Sequence, residues 1–194
     1  MRFAFEAGLS ASLLAIAALT LGCSSGQDKA NMGSLSVRLA ASRPAEPRAT
    51  DARESDPIAA LSGTDVTISG VEARRSDGTW LAVESGFPKT FDLLALANVG
   101  DTITFPGVLI PEGHYTALQV RVADVIVTRS DGTHVDMAPY GPGWTVLTAV
   151  DFDVVDDRST VVGLNVALDR SITVVNGELA FDPAIDVDGV EKGL

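Results

Sequence analysis

The chain has 194 residues, a formal net charge of -12 and a single cysteine, Cys23. With 26 acidic residues against 14 basic ones it has no cationic stripe to neutralise phosphates, which excludes nucleic-acid binding as a reading. One cysteine allows no internal disulfide, so the fold must be held by an apolar core.

In chain order, the first feature is an uncharged stretch from Ala7 to Gly22. It suits the core of a signal peptide and is short for a membrane-spanning helix. It closes as Leu19-Thr-Leu-Gly-Cys23, directly before the polar run Ser24-Ser-Gly-Gln-Asp-Lys29. An apolar stretch, a small residue and a lone cysteine resemble the lipobox of bacterial lipoprotein signal peptides. The resemblance implies that the Cys23 thiol carries lipid and that Cys23 begins the mature chain. Residues 1–22 then form the signal peptide, residues 23–32 a flexible tether, and residues 33–194 one domain. Removing Arg2 and Glu6 with the signal leaves the charge at -12, so an anionic lipid surface repels the domain and membrane association rests on the lipid.

Beyond Gly33 the pattern has period two, the mark of half-buried strands. Ser34-Leu-Ser-Val-Arg-Leu39 reads as the first strand, and residues 40–57 as a long aperiodic, mobile loop. Val66-Thr-Ile68 and Val71-Glu-Ala73 read as one strand whose phase slips at Ser69-Gly70, where glycine marks a bulge. Arg75-Ser-Asp-Gly-Thr79 then recurs letter for letter as Arg129-Ser-Asp-Gly-Thr133. Asp-Gly between strand patterns predicts a two-residue type I′ hairpin in each place. The echo reads either as good turn chemistry used twice or as a duplicated unit with matched binding loops, and the first is the simpler.

Phe91-Asp-Leu-Leu-Ala-Leu-Ala-Asn98 fits a short helical turn or a buried strand, ended by Gly100. Pro111-Glu-Gly-His-Tyr115 opens a strand in which Leu118, Val120 and Val122 share one face and Gln119 and Arg121 the other. Tyr115 is expected to bury its ring in the core while its hydroxyl reaches backbone. Strands are predicted over residues 145–154, 161–168 and 172–175, then a hairpin turn at Asn176-Gly177 and a last, Pro183-flanked edge stretch. Nine to eleven short strands, with no amphipathic helix beyond the signal, predict an all-β fold: a single antiparallel β-sandwich of immunoglobulin-like or prealbumin-like Greek-key type.

Gly33-Ser-Leu-Ser-Val37, Val66-Thr-Ile-Ser-Gly-Val-Glu72, Lys89-Thr-Phe-Asp-Leu-Leu-Ala-Leu96, Ile110-Pro-Glu-Gly-His-Tyr-Thr116, Val166-Ala-Leu-Asp-Arg-Ser171 and Phe181-Asp-Pro-Ala-Ile185 follow one another in this order. The series resembles an uncharacterised bacterial lipoprotein domain family, a domain of unknown function (DUF4382). The resemblance implies a lipid-anchored sandwich and no particular activity.

The two histidines, His114 and His134, stand outside any Gly-x-Ser-x-Gly elbow, His-Glu-x-x-His pair or phosphate loop, so the chain reads as non-enzymatic. Asp151 and Asp153 share a strand face with Asp156 and Asp157 in the next turn, carboxylates of the kind Ca²⁺ takes, but the spacing is not that of a known calcium loop and a solvated acidic face is the simpler reading. Asp182, Asp186, Asp188 and Glu191 form a second acidic stretch. Trp80, His134, Tyr140 and Trp144 stand near predicted turns or strand starts and are the candidate ligand-binding residues, with core or edge packing as their alternative. The resulting expectation is a lipid-anchored, non-catalytic binding or structural module of the bacterial cell envelope, at the outer membrane in a double-membraned cell. Its partners would be the membrane through Cys23 and an envelope glycan or protein. A calcium-dependent adhesion or assembly module is the alternative, and a cell-wall hydrolase assembled from distant loops a third.

Overall fold

Apolar residues at every second position become strands that bury one face each. The computed structural model describes residues 31–43, 57–83, 86–137 and 144–193, so Cys23, Tyr140 and most of the expected 40–57 loop lie outside the described residues. The elements are β1 (Met32–Ser42), a 3-10 turn (Pro57–Ala60), β2 (Leu61–Arg75), β3 (Trp80–Ala82), β4 (Lys89–Asp92), α1 (Leu93–Val99) and β5 (Thr102–Pro111). There follow β6 (Gly113–Arg129), β7 (His134–Asp136), β8 (Trp144–Val154), β9 (Ser159–Ala167), α2 (Leu168–Ser171), β10 (Ile172–Val175), β11 (Glu178–Phe181) and β12 (Ile185–Lys192).

These strands form an all-β sandwich. One sheet runs β12-β9-β1-β5, and the other is built on the long antiparallel pair β2 and β6. Leu35, Val37 and Leu39 of β1 meet Leu118, Val120 and Val122 of β6 in one buried cluster that includes Phe105 and Tyr115. Every pair is antiparallel except one: β1 lies parallel to β9, Ser34 opposite Ser159 through Ser42 opposite Ala167. That pair also carries β1 past the predicted end at Leu39 and through Ser42, so the first part of the expected loop is strand.

The second sheet contains a repeat. β2 bears β3 along its C-terminal end and β4 farther back, while β6 bears β7 along its C-terminal end and β8 farther back. The two Arg-Ser-Asp-Gly-Thr segments occupy equivalent hairpins with matching bonds. Gly78 N donates to Arg75 O and Gly132 N to Arg129 O, both at 2.9 Å, and the arginine N–H groups donate to Thr79 O and Thr133 O. The echo is therefore structural as well as textual. Because β2 and β6 run antiparallel, the two turns lie at opposite ends of the sheet and do not form one paired-loop site. A two-residue type I′ turn does not form at either place, since it needs two left-handed residues and only Gly78 (φ +92) and Gly132 (φ +84) are left-handed there. Instead Asp77 and Asp131 accept the N–H of Thr79 and Thr133 at 2.9 Å, which holds both carboxyls below their usual range. At Asn176 (φ 54) and Gly177 (φ 85) both residues are left-handed, and the predicted hairpin turn forms.

The expectation of no further amphipathic helix is corrected at α1. Asp92 lies outside the helical region and its carboxylate accepts the N–H groups of Leu94 (2.9 Å) and Ala95 (3.1 Å), while left-handed Gly100 (φ 66) ends the helix. α1 buries Leu93 and Leu94. Asp92 also accepts Thr64 N at 3.1 Å, so it joins the helix to β2. Asp92→Ala should lower stability by about 1–2 kcal/mol, seen as a lower urea midpoint at unchanged slope, with Asp92→Asn recovering part of the loss.

Candidate functional site

The outer face of the β2–β6 sheet follows from the bulge. After the register shift between Ile68 and Gly70, Val71 and Ala73 point inward and Glu72 and Arg74 outward. On β6, Gln119 and Arg121 point outward opposite buried Leu118, Val120 and Val122. β8 adds Thr145, Leu147 and Ala149, and β3 adds Trp80 and Ala82. The pairing sets these side chains in two adjacent rows across four strands. One reads Trp80, Arg74, Ala117, Ala149, and the other Ala82, Glu72, Gln119, Leu147.

The Arg74 guanidinium lies 5.9 Å from the centre of the Trp80 ring. Beside it Arg121 forms an ion pair with Glu72 at 2.5 Å, and Gln119 donates to Glu72 at 3.4 Å. Gly70 makes room for this pair: a Cβ there would stand 3.3 Å from Arg121 Nε. The face thus combines an indole, two guanidiniums, an amide and a carboxylate over a floor of alanines. Such a surface can stack a flat ring and exchange hydrogen bonds with hydroxyl groups.

Of the residues expected to bind, Trp80 lies on this face. Trp144 is inward, its ring edge-on to Phe181 at 5.3 Å and packed against the core, so its packing accounts for it. His134 stands at the far end of the sheet with Nδ1 3.0 Å from the Thr128 hydroxyl. Tyr140 lies outside the described residues. The structure therefore does not bring Trp80, His134 and Trp144 together.

Asp151 and Asp153 do share the outward face of β8, where they bracket His114 of β6. His114 Nδ1 is 3.0 Å from Asp153 and Nε2 is 3.7 Å from Asp151, while Lys192 Nζ reaches Asp153 at 3.4 Å. The hydrogen bond from His114, then that from Lys192, holds the Asp153 carboxyl below its usual range. Asp156 is used differently: it accepts Met32 N at 3.0 Å and secures the start of β1. Asp157 takes a left-handed conformation (φ 55), and its N–H donates to Met32 O at 3.2 Å. Among the described residues no three His, Cys, Asp or Glu side chains are grouped so as to hold a metal ion. An open cleft of about 290 Å³ lies alongside, lined by Asp153, Val155, Arg158, Ser159, Thr160 and Lys192.

Sequence reading missed Glu72, Arg74, Gln119 and Arg121 as a group. Each shows as an outward residue in its own strand, but only the β2–β6 register sets them side by side. The model of a family described as Domain of unknown function (DUF4382) matches residues 48–183. No curated protein and no solved structure matches the chain.

Proposed function

Since this chain belongs to the DUF4382 family, a domain of unknown function whose membership carries no activity, we propose from its own surface that it is a non-catalytic binding module of the bacterial cell envelope, anchored by lipid at Cys23 and holding an envelope glycan on the outer face of the β2–β6 sheet. The observation that carries the reading is Trp80 on an open sheet face, backed by Arg74 and bordered by the Glu72, Arg121 and Gln119 set. A pyranose ring has a C–H face for the indole and hydroxyls for the charged planar groups. The calcium-dependent alternative has no comparable support, because Asp153 is engaged by His114 and Lys192 and Asp156 by a backbone N–H.

The test is binding of the full-length protein to arrayed envelope polysaccharides, with Trp80→Ala beside the wild type. Loss of a central aromatic anchor costs about 2 kcal/mol, so affinity should fall roughly 30-fold. Trp80 is half-buried on a short edge strand, so the melting temperature should move by only a few degrees. A blank array, or equal binding by the variant, would remove this reading.

A further inference from the structure

The charges around Trp80 do not cancel. Glu72 is taken by Arg121 at 2.5 Å, with Gln119 donating to it at 3.4 Å. Asp77, in the turn that leads into β3, accepts the N–H of Thr79 at 2.9 Å and lies 3.8 Å from Arg75 Nε. Asp151, two residues past Ala149 on β8, is turned to His114 at 3.7 Å. Arg74, Arg75 and Arg121 therefore face Glu72 and Asp77 with one positive charge left over, and it sits on Arg74. That side chain is exposed, and among the described residues its guanidinium has no ion pair and no hydrogen bond. It lies against the Trp80 ring instead, 5.9 Å from the ring centre. In a chain with 26 acids to 14 basic residues, an unmatched arginine beside an open indole is an unspent cation at the centre of the candidate site.

We propose that the ligand of this face is an acidic glycan, in which a hexuronic acid residue lays its C–H face on Trp80 and its carboxylate on Arg74. The inference rests on the glycan reading above and adds the class of sugar. A neutral ring laid against Trp80 would strip water from the Arg74 guanidinium and return no counter-charge, which is a cost. A carboxylate on the same ring supplies that charge, and the planar fork of arginine matches it through two parallel hydrogen bonds. One uncompensated charge on the protein matches the single charge of a carboxylate. Glu72 does not oppose it, because Arg121 already neutralises Glu72. The net charge of -12 acts from farther away, and at physiological salt such a field is screened beyond about 8 Å. Recognition is then set by the charges next to Trp80. Gln119 and the Arg121–Glu72 pair, in the adjacent row, are left to hydrogen-bond hydroxyl groups.

The test prints uronic-acid oligosaccharides in pairs, each in its native form and with its carboxylates reduced to hydroxymethyl groups, and applies the full-length protein at physiological salt. Wild type should hold the native member of a pair about 10-fold more tightly than the reduced one, the effect of one charge-assisted contact. Arg74→Gln should bring native binding down to the level of the reduced form and leave the reduced form unchanged. Arg74→Lys, which keeps the charge and loses the fork, should fall between the two. Trp80→Ala should weaken both members together. If wild type holds native and reduced forms equally and Trp80→Ala weakens both, the acidic sugar is overturned while the glycan reading stands. An Arg74→Gln variant that keeps the full preference would overturn it too, and a blank array would remove both readings. Arg74 is exposed, so its substitution leaves the fold intact, which an unchanged melting temperature checks.

Discussion

Replacing Tyr115 with alanine is expected to destabilise the domain by about 3–5 kcal/mol, a loss comparable with removing any fully buried large aromatic ring. Tyr115 is 0% exposed, stacks on Phe152 at 5.3 Å with the rings 11° from parallel, and donates its hydroxyl to Pro111 O at 2.8 Å. It therefore closes the corner between β5 and β6 from inside the core. At roughly 2–4 °C per kcal/mol for a domain of this size, the melting temperature should fall by about 10 °C. Tyr115→Phe keeps the stack and removes the donor, leaving the Pro111 carbonyl unpaired at a cost of about 1–2 kcal/mol.

The same residue predicts a pH dependence. Burial pushes the Tyr115 hydroxyl above the ordinary tyrosine value of 10.0, Arg75 opposes that in part, and Asp77 adds to it. The folded state thus holds the proton more tightly than the unfolded state. The contribution is fully present below pH 10, where both states are protonated, and is lost as pH rises through the folded value. Denaturant titrations of wild type and Tyr115→Phe should run parallel below pH 10 and converge above it. Curves that stay parallel to pH 12 would refute the buried-hydroxyl account.

The corner was legible in the sequence because its information is local. Pro111-Glu-Gly-His-Tyr115 fixes a turn and a ring within five residues, and the alternation beyond it assigns inward and outward faces. The phase slip at Ser69-Gly70 was legible for the same reason, and it appears as a register shift between Ile68 and Gly70. The parallel pairing of β1 with β9 was not legible. A strand alternates in the same way whether its neighbour runs with it or against it, and these partners are more than 100 residues apart. The Asp92 cap of α1 was hidden by the apolar run that follows it, which fits a buried strand equally well until the carboxylate is seen to accept two helix N–H groups.

The candidate site divides along the same line. Trp80 announced itself as a large aromatic beside a turn, and the structure leaves it on an open face. Trp144 gave the same signal, yet its strand parity turns it inward onto Phe181. Residue type alone does not separate the two; the side of the sheet does. The Glu72–Arg121 pair needed more still, because the residues are brought together by pairing of β2 with β6 across a register that includes three earlier shifts or bulges.

Cys23→Ser is expected to abolish lipid labelling completely while leaving the sandwich folded. The fold half of this prediction follows from where the described domain begins. Asn31 is already tied down, its side chain bonded to Glu112 at 2.9 Å and its carbonyl accepting Glu112 N at 2.8 Å, and β1 starts at Met32. The buried cluster starts at Leu35, so no core contact in it depends on residue 23. The partition half follows from charge and chain length. A domain carrying -12 gains nothing from an anionic bilayer, and lipid chains at about 0.8 kcal/mol per buried methylene are then the attractive term. Wild type should take up a fatty-acid label in a lipoprotein-processing host and sediment with membranes. Cys23→Ser should take up none, with a circular-dichroism spectrum and melting temperature unchanged. A wild type that folds but takes no label would sink the anchor while leaving the Trp80 face to be judged separately, because no part of that face is built from the residues before Asn31.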